Sequence, residues 1–335
     1  MIAVVTGGGG FIGRNLVGRL LADGHVVRCL TRPESRGVPE GASAWPVRFD
    51  DVGSLTATEA LAGADVVFHL AGVTSAARER DFDAANVVPT RNLLRAISDR
   101  GVAARFVYVS SQAAAGPAAG PDAAVVEADT PRPVEAYGRS KLAAERVVEA
   151  FADRVATTVV RPCAVYGPWD RGFLPLFRLA SRGLMVYPGI AGHSVSVLHV
   201  SDVVDGLLLA AQSNRAVSRT YFLASDHPVV WRDLGRSIAN VVGRQVRHVE
   251  VPWALVRVAS AAGEILGRLT GTVSLANRSR STLARQPCWV CSASRARQDL
   301  GFRERSSLPD ALRDTYLWYA RHGWLGRTRL PAAAS

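Results

Sequence analysis

The chain has 335 residues, 48% of them hydrophobic, enough to bury a sizeable core arranged in two closely packed lobes. Its formal net charge is +11, but the basic residues are spread along the chain, densest from Arg278 to Arg305, without a nucleic-acid-binding motif, so no nucleic-acid partner is expected. No run of 18 apolar residues suggests stable membrane insertion, no basic leader precedes the first strand, and four cysteines make no disulfide framework, which together point to reduced thiols in a cytoplasmic protein.

Ile2, Ala3, Val4 and Val5 form a short buried-strand pattern, followed by Thr6-Gly7-Gly8-Gly9-Gly10-Phe11-Ile12-Gly13 and a helical run from Asn15 to Ala22. Strand, glycine turn and helix in that order suit a dinucleotide: Gly7, Gly10 and Gly13 allow a tight turn, close approach to a pyrophosphate and helix-on-sheet packing, with the anion at the helix N-terminus. The second strand, His25 to Thr31, runs into Arg32 with Arg36 close behind and ends without the carboxylate that would accept hydrogen bonds from a ribose 2′-OH. Arg32 suits a 2′-phosphate, so NADP(H) is the preferred cofactor expected, with NAD(H) the alternative.

Strands alternate with helical patterns through residue 162, which predicts a Rossmann-type, doubly wound parallel sheet of order 3-2-1-4-5-6 in an α/β protein. Ala113 to Pro121, rich in alanine, glycine and proline, reads as a mobile loop. From Glu135 to Asp153 the chain has good helix formers, and Tyr137 and Lys141 stand one turn apart on one face. Lys141 is the sole lysine among 40 basic side chains, and an ammonium kept where arginine is otherwise used suggests chemistry that a guanidinium cannot do. A cation there would favour phenolate and draw the tyrosine pKa from roughly 10 toward neutrality, making Tyr137 an acid/base for a carbonyl or alcohol.

After Pro168 the regularity loosens. Residues 1–168 are expected to form the nucleotide domain, with 196–225 returning to it; 169–195 and 226–325 are expected to form a smaller, discontinuous α+β substrate lobe, and 326–335 a tail. Val251 to Leu269 reads as an apolar helix lining a greasy pocket. Cys288-Trp-Val-Cys291 has metal-ligand spacing, but Cys29 and Cys163 fall in separate strands and no histidine pair completes a zinc site, so no metal is expected.

These motifs together resemble the extended short-chain dehydrogenase/reductase family, also called the NAD-dependent epimerase/dehydratase family. The resemblance extends to His69-Leu-Ala-Gly72, Asn86-Val87 with Asn92-Leu93-Leu94, Val109-Ser110-Ser111, Arg161 to Pro168 and Leu198 to Asp202. It implies that Ser111 hydrogen-bonds the substrate oxygen, that Tyr137 is the acid/base, and that Lys141 holds the nicotinamide ribose. It also implies that Phe11, Ile12, Leu70, Ala71, Gly72 and Pro162 join the glycines around the cofactor, that Asp50 and Asp51 line the adenine pocket, and that the enzyme is a homodimer packed through the helix bearing Tyr137. Read from the residues alone, Ser110-Ser111 is equally a strand-terminal turn. Family members that eliminate water carry an Asp-Glu pair after the active-site hydroxyl, where this chain has Gln112-Ala113. Members acting on sugar nucleotides carry an arginine before the His-Val segment, where this chain has Val195-Ser-Val-Leu-His-Val200. The chain therefore looks most like the 3β-hydroxysteroid dehydrogenase and dihydroflavonol reductase branch, a ketone reductase or secondary-alcohol dehydrogenase of a hydrophobic molecule; a nucleotide-sugar 4-epimerase or keto-sugar reductase and a non-catalytic nucleotide-sensing module are the alternatives.

Overall fold

The computed structural model describes residues 1–35, 37–189, 192–252, 254, 255 and 285–326. Arg36, most of the expected helix from Val251 to Leu269 and the arginines at 278 and 280 lie outside the described residues. In chain order the first half comprises β1 (Ile2–Thr6), α1 (Phe11–Ala22), β2 (Val26–Thr31), β3 (Ser43–Pro46), α2 (Val52–Ala57), β4 (Val66–His69), α3 (Glu79–Phe82), α4 (Val88–Asp99), β5 (Arg105–Val109), α5 (Gln112–Ala115), α6 (Ala136–Glu149) and β6 (Ala156–Pro162). The second half comprises β7 (Ala164–Tyr166), α7 (Leu174–Ala180), β8 (Leu184–Pro188), β9 (Ser194–Val195), β10 (Val197–His199), α8 (Val200–Gln212), β11 (Arg219–Leu223), β12 (Val229–Val230), α9 (Trp231–Val242), β13 (Arg247–Val251), β14 (Cys288–Trp289), α10 (Ser294–Leu300) and α11 (Leu308–Arg321).

Seven strands form one sheet in the order β11-β6-β5-β4-β1-β2-β3, every neighbouring pair parallel. The expected order is present, and β11 adds a seventh strand beside β6. Central strands of near-continuous valine and phenylalanine form such a sheet because both faces are covered: Val5, Phe68 and Val107 pack in one apolar cluster and Val4, Val67 and Phe106 in the other. The register aligns Thr6 with His69 and His69 with Tyr108, so three polar-tipped side chains stand in a row at the carboxyl ends of β1, β4 and β5. That row lies where the strand order reverses between β1 and β4, the crevice in which doubly wound sheets bind ligands.

A third apolar cluster joins α7, β8, α9 and α11 through Phe177, Tyr187, Ile238 and Tyr316. The 3.6-residue period of α9 buries Leu234, Ile238 and Val242 on one side. Residues 288–302 depart from the expected division of the chain: Cys288, Val290, Cys291, Ala296 and Phe302 pack into the cluster that covers the parallel sheet. The stretch from Ala113 to Pro121 departs from expectation too. Ala114, Ala115 and Ala118 are buried, Ala118 N–H donates to the Cys288 carbonyl at 2.9 Å and Arg132 N–H to Ala115 O at 2.7 Å. Small side chains that looked like freedom serve close packing: at Gly116, with φ of 94°, a Cβ would stand 2.2 Å from the Arg132 carbonyl. Among the described residues no helix is long and apolar enough to cross a membrane, and no group of three metal-ligating side chains occurs.

Candidate active site

The glycine turn is built for close approach. Gly7 has φ of 72°, and a Cβ there would lie 2.9 Å from the Ala71 nitrogen; at Gly13 a Cβ would lie 2.1 Å from the Gly7 carbonyl, so only glycine lets α1 seat on the turn. Helix α1 runs from Phe11, four residues earlier than the expected start at Asn15, because the last three residues of the motif already supply its first turn. Its N-cap, Gly10, is exposed and has no side chain to occupy the first amides, and no acidic residue stands in the first turn. The amides of this N-terminus, with half-buried Phe11 and Ile12 beside them, fit a diphosphate.

Arg14, which the sequence reading passed over, ties this turn to the loop after β2: Nε donates to Gly9 O at 2.9 Å and Nη2 to Gly37 O at 2.8 Å, while its guanidinium lies 4.5 Å above the Trp169 ring. A cation directly after the third motif glycine was the available signal. Arg32 stands exposed just past β2, its Nε 3.3 Å from Glu34. Asp51 caps α2 by accepting from Gly53 N–H at 2.9 Å, and Asp50 is exposed 3.7 Å from Arg48. On the other side of the turn, Leu70 and Ala71 are half-buried and Gly72 is exposed; a Cβ on Gly72 would lie 4.0 Å from Lys141 Nζ. Pro162 is buried at the end of β6.

His69 holds that loop. Thr90 Oγ1 donates to the Asn86 carbonyl, so it accepts from His69 Nε2–H at 2.9 Å; Thr6 Oγ1 accepts from Ala71 N–H and donates to His69 Nδ1 at 2.7 Å. Burial first, and the Lys141 charge second, push the His69 pKa down to about 3, so the ring is neutral.

Helix α6 begins with Glu135 as N-cap, accepting from Tyr137 N–H at 2.7 Å and Gly138 N–H at 2.5 Å. At Gly138 a Cβ would stand 2.3 Å from Ala113 O, so the backbones of α5 and α6 touch and bring Tyr137 to Ser111, the N-cap of α5. The two serines diverge. Ser111 Oγ accepts from Ala113 N–H at 3.2 Å and is the serine that acts on the Tyr137 phenol, favouring its ionised form, whereas buried Ser110 donates to Glu145, whose carboxylate is gripped by the Arg161 fork. Lys141, 4% exposed, donates to the Val109 carbonyl at 2.7 Å and lies 4.5 Å above the Tyr108 ring. Asn86 braces the helix from below, with Nδ2 donating to Ser140 Oγ at 2.9 Å and Oδ1 accepting from Val73 N–H at 2.8 Å.

The electrostatics correct one expectation. Lys141 was expected to draw the Tyr137 pKa toward neutrality, but burial pushes it up to about 12, only partly offset by Ser111 and reinforced by Glu135. The same burial pulls Lys141 down to about 7, with Glu145 opposing. Desolvation is the largest influence on both groups, on half-buried Tyr137 as on buried Lys141, and it penalises the charged form of each. The consequence is chemical: at neutral pH Tyr137 is a loaded proton donor.

The profile of the NAD dependent epimerase/dehydratase family matches residues 3–224. The chain belongs to that family. A 4-hydroxy-2-methyl-3-oxo-4-farnesyl-3,4-dihydroquinoline-1-oxide ketoreductase from Stigmatella aurantiaca is 32% identical over 318 residues, 91% of this chain and 92% of that one. A 3-beta-hydroxysteroid dehydrogenase from Mycolicibacterium neoaurum is 28% identical, covering 94% and 90%. Among solved structures, MoeE5 in complex with UDP-glucuronic acid and NAD superposes with a TM-score of 0.75 at 26% identity, over 96% of this chain and all of that one. This family member is accordingly an NAD(P)-dependent enzyme of the extended short-chain dehydrogenase/reductase type, with ketoreductase and steroid dehydrogenase relatives and a sugar-nucleotide structural neighbour.

Proposed function

We propose that the enzyme reduces the ketone of a hydrophobic small molecule, steroid-, flavonoid- or polyketide-like, with NADPH as preferred donor, through Ser111, Tyr137 and Lys141. The observation that carries this reading is the contact of α5 with α6 at Gly138, which sets the Ser111 hydroxyl beside a protonated Tyr137 while Gln112 and Ala113 stand where a second acid and base would be needed for dehydration. The N-terminus of α1 would hold the cofactor diphosphate, Arg32 the 2′-phosphate, and Lys141 with the Ala71–Gly72 segment the nicotinamide ribose. When bound, the cofactor supplies a hydride to the carbonyl carbon. Ser111 donates a hydrogen bond to the carbonyl oxygen, and Tyr137 gives that oxygen its proton as negative charge develops. Lys141 steadies the resulting phenolate until it is reprotonated from solvent. The farnesyl-bearing and steroid substrates in the relatives' names support an apolar substrate.

Sugar-nucleotide epimerisation is the second reading, favoured by the likeness to MoeE5. Steady-state NADPH and NADH oxidation against steroid, flavonoid, long-chain keto and keto-sugar panels, together with chromatography of UDP-sugars for interconversion, since epimerisation consumes no net cofactor, separates the two. The expected result is turnover with an apolar ketone that falls about 10²–10⁴-fold in Tyr137→Phe while cofactor affinity is retained. Turnover confined to keto-sugars, or a Tyr137→Phe variant as fast as wild type, would overturn it.

A further inference from the structure

Tyr137, Lys141 and Glu145 follow one another at four-residue steps along one face of α6. Tyr137 is the proposed acid and Lys141 the proposed ribose anchor; Glu145 has had no role. Its side chain is 7% exposed, and both carboxylate oxygens are engaged: Oε1 accepts from Arg161 Nε at 2.9 Å and from Ser110 Oγ, and Oε2 from Arg161 Nη2 at 2.6 Å. Arg161 is itself buried and lies 5.4 Å from the centre of the Phe222 ring. A buried ion pair of this kind is a poor source of stability, since desolvating two charges offsets most of their attraction. Its placement is informative instead. The pair lies one turn along α6 from an ammonium that meets the Val109 carbonyl and the Tyr108 ring on β5, with neutral His69 on β4 close enough to feel its charge.

We propose that Glu145, aimed by Arg161 and Ser110, is the counter-charge that keeps Lys141 an ammonium beside Tyr137. Glu145 is thus a positioning residue, out of reach of substrate and acting through Lys141. Arg161 and Ser110 satisfy the lone pairs of the carboxylate and fix its direction. Burial alone already drags Lys141 down to about 7, with Glu145 the opposing influence, so the margin by which the ammonium survives at neutral pH is small. Glu145→Gln removes the attraction and leaves the Arg161 charge unbalanced. Both changes lower the Lys141 pKa, by one or more if side chains one helical turn apart, about 5–6 Å between Cβ atoms, interact through an effective dielectric constant of about 20. Above both midpoints, each lowering by one cuts the charged fraction about tenfold.

The inference rests on the proposed function only for the purpose of the charge, and its test needs no substrate. Lys141 is the chain's sole lysine, so lysine labelled with 13C at Cε yields one side-chain resonance that reports its titration without assignment. The resonance is followed against pH in the full-length wild type, Glu145→Gln, Glu145→Asp and the double variant Glu145→Leu/Arg161→Met, which replaces the pair with apolar side chains and avoids a stranded charge should Glu145→Gln fail to fold. The expected order of midpoints is wild type and Glu145→Asp highest, the double variant lower, and Glu145→Gln lowest. A midpoint within about 0.3 of wild type in the folded double variant would overturn the proposal. If the midpoints move but no ketone is reduced, the proposed function fails and the counter-charge stands; if ketones are reduced and the midpoints do not move, the reverse holds. In an active enzyme, the pH profile of kcat should shift with the lysine midpoint, which a merely structural loss would not produce.

Discussion

Acid should loosen this protein through His69. The ring is fully buried, with its nitrogens committed to Thr6 and Thr90, and its pKa is pushed down to about 3 against an ordinary 6.5. Between those values the unfolded chain binds a proton that the folded chain refuses. Stability from this group is therefore fully present above pH 6.5 and is lost as pH falls toward 3. At pH 4 the cost is about 1.36 kcal/mol times 2.5, roughly 3 kcal/mol, a large share of a typical margin of 5–15 kcal/mol. Carboxylates titrate over the same range, so the measurement is a double difference: urea unfolding of wild type and His69→Gln at pH 7 and pH 4, followed by tryptophan fluorescence. Effects common to both proteins cancel, and the stability advantage of wild type over the variant should shrink by about 3 kcal/mol between the two pH values. An advantage unchanged to within about 1 kcal/mol would refute the assignment of a neutral, doubly bonded His69. Because Thr6 also receives the Ala71 N–H, cofactor affinity should fall before global unfolding.

Two substitutions address the site directly. Arg32→Glu should weaken NADPH binding about tenfold or more while leaving NADH binding nearly unchanged, since it sets a like charge against a 2′-phosphate; titrating both cofactors checks this, and equal losses count against Arg32 as the phosphate partner. Lys141→Arg keeps the charge but must seat a planar fork where an ammonium at 4% exposure reaches the Val109 carbonyl at 2.7 Å, so single-turnover hydride transfer should slow about a hundredfold.

Much of the fold was legible because its signals are local. The apolar run at Ile2–Val5, the glycines at 7, 10 and 13 and the four-residue step from Tyr137 to Lys141 each determine geometry within a turn or two of chain, and the alternation of strand and helix patterns implies the parallel order. What the tertiary structure alone decided involves partners far apart in sequence. Whether Ser110 or Ser111 meets the tyrosine depends on Glu145 and Arg161, which draw Ser110 away from 35 residues downstream and beyond. The alanine-rich stretch after Ser111 is held rather than loose because the Cys288 carbonyl and Ala115–Arg132 pairing wait for its backbone. Residues 288–302 return to the sheet because its outer face, bounded by β11, offers the apolar surface they cover. The direction of the Tyr137 shift was the least legible of all. A sequence shows that a cation stands one turn away; only packing determines how much water is left around both groups, and desolvation is the largest influence on each.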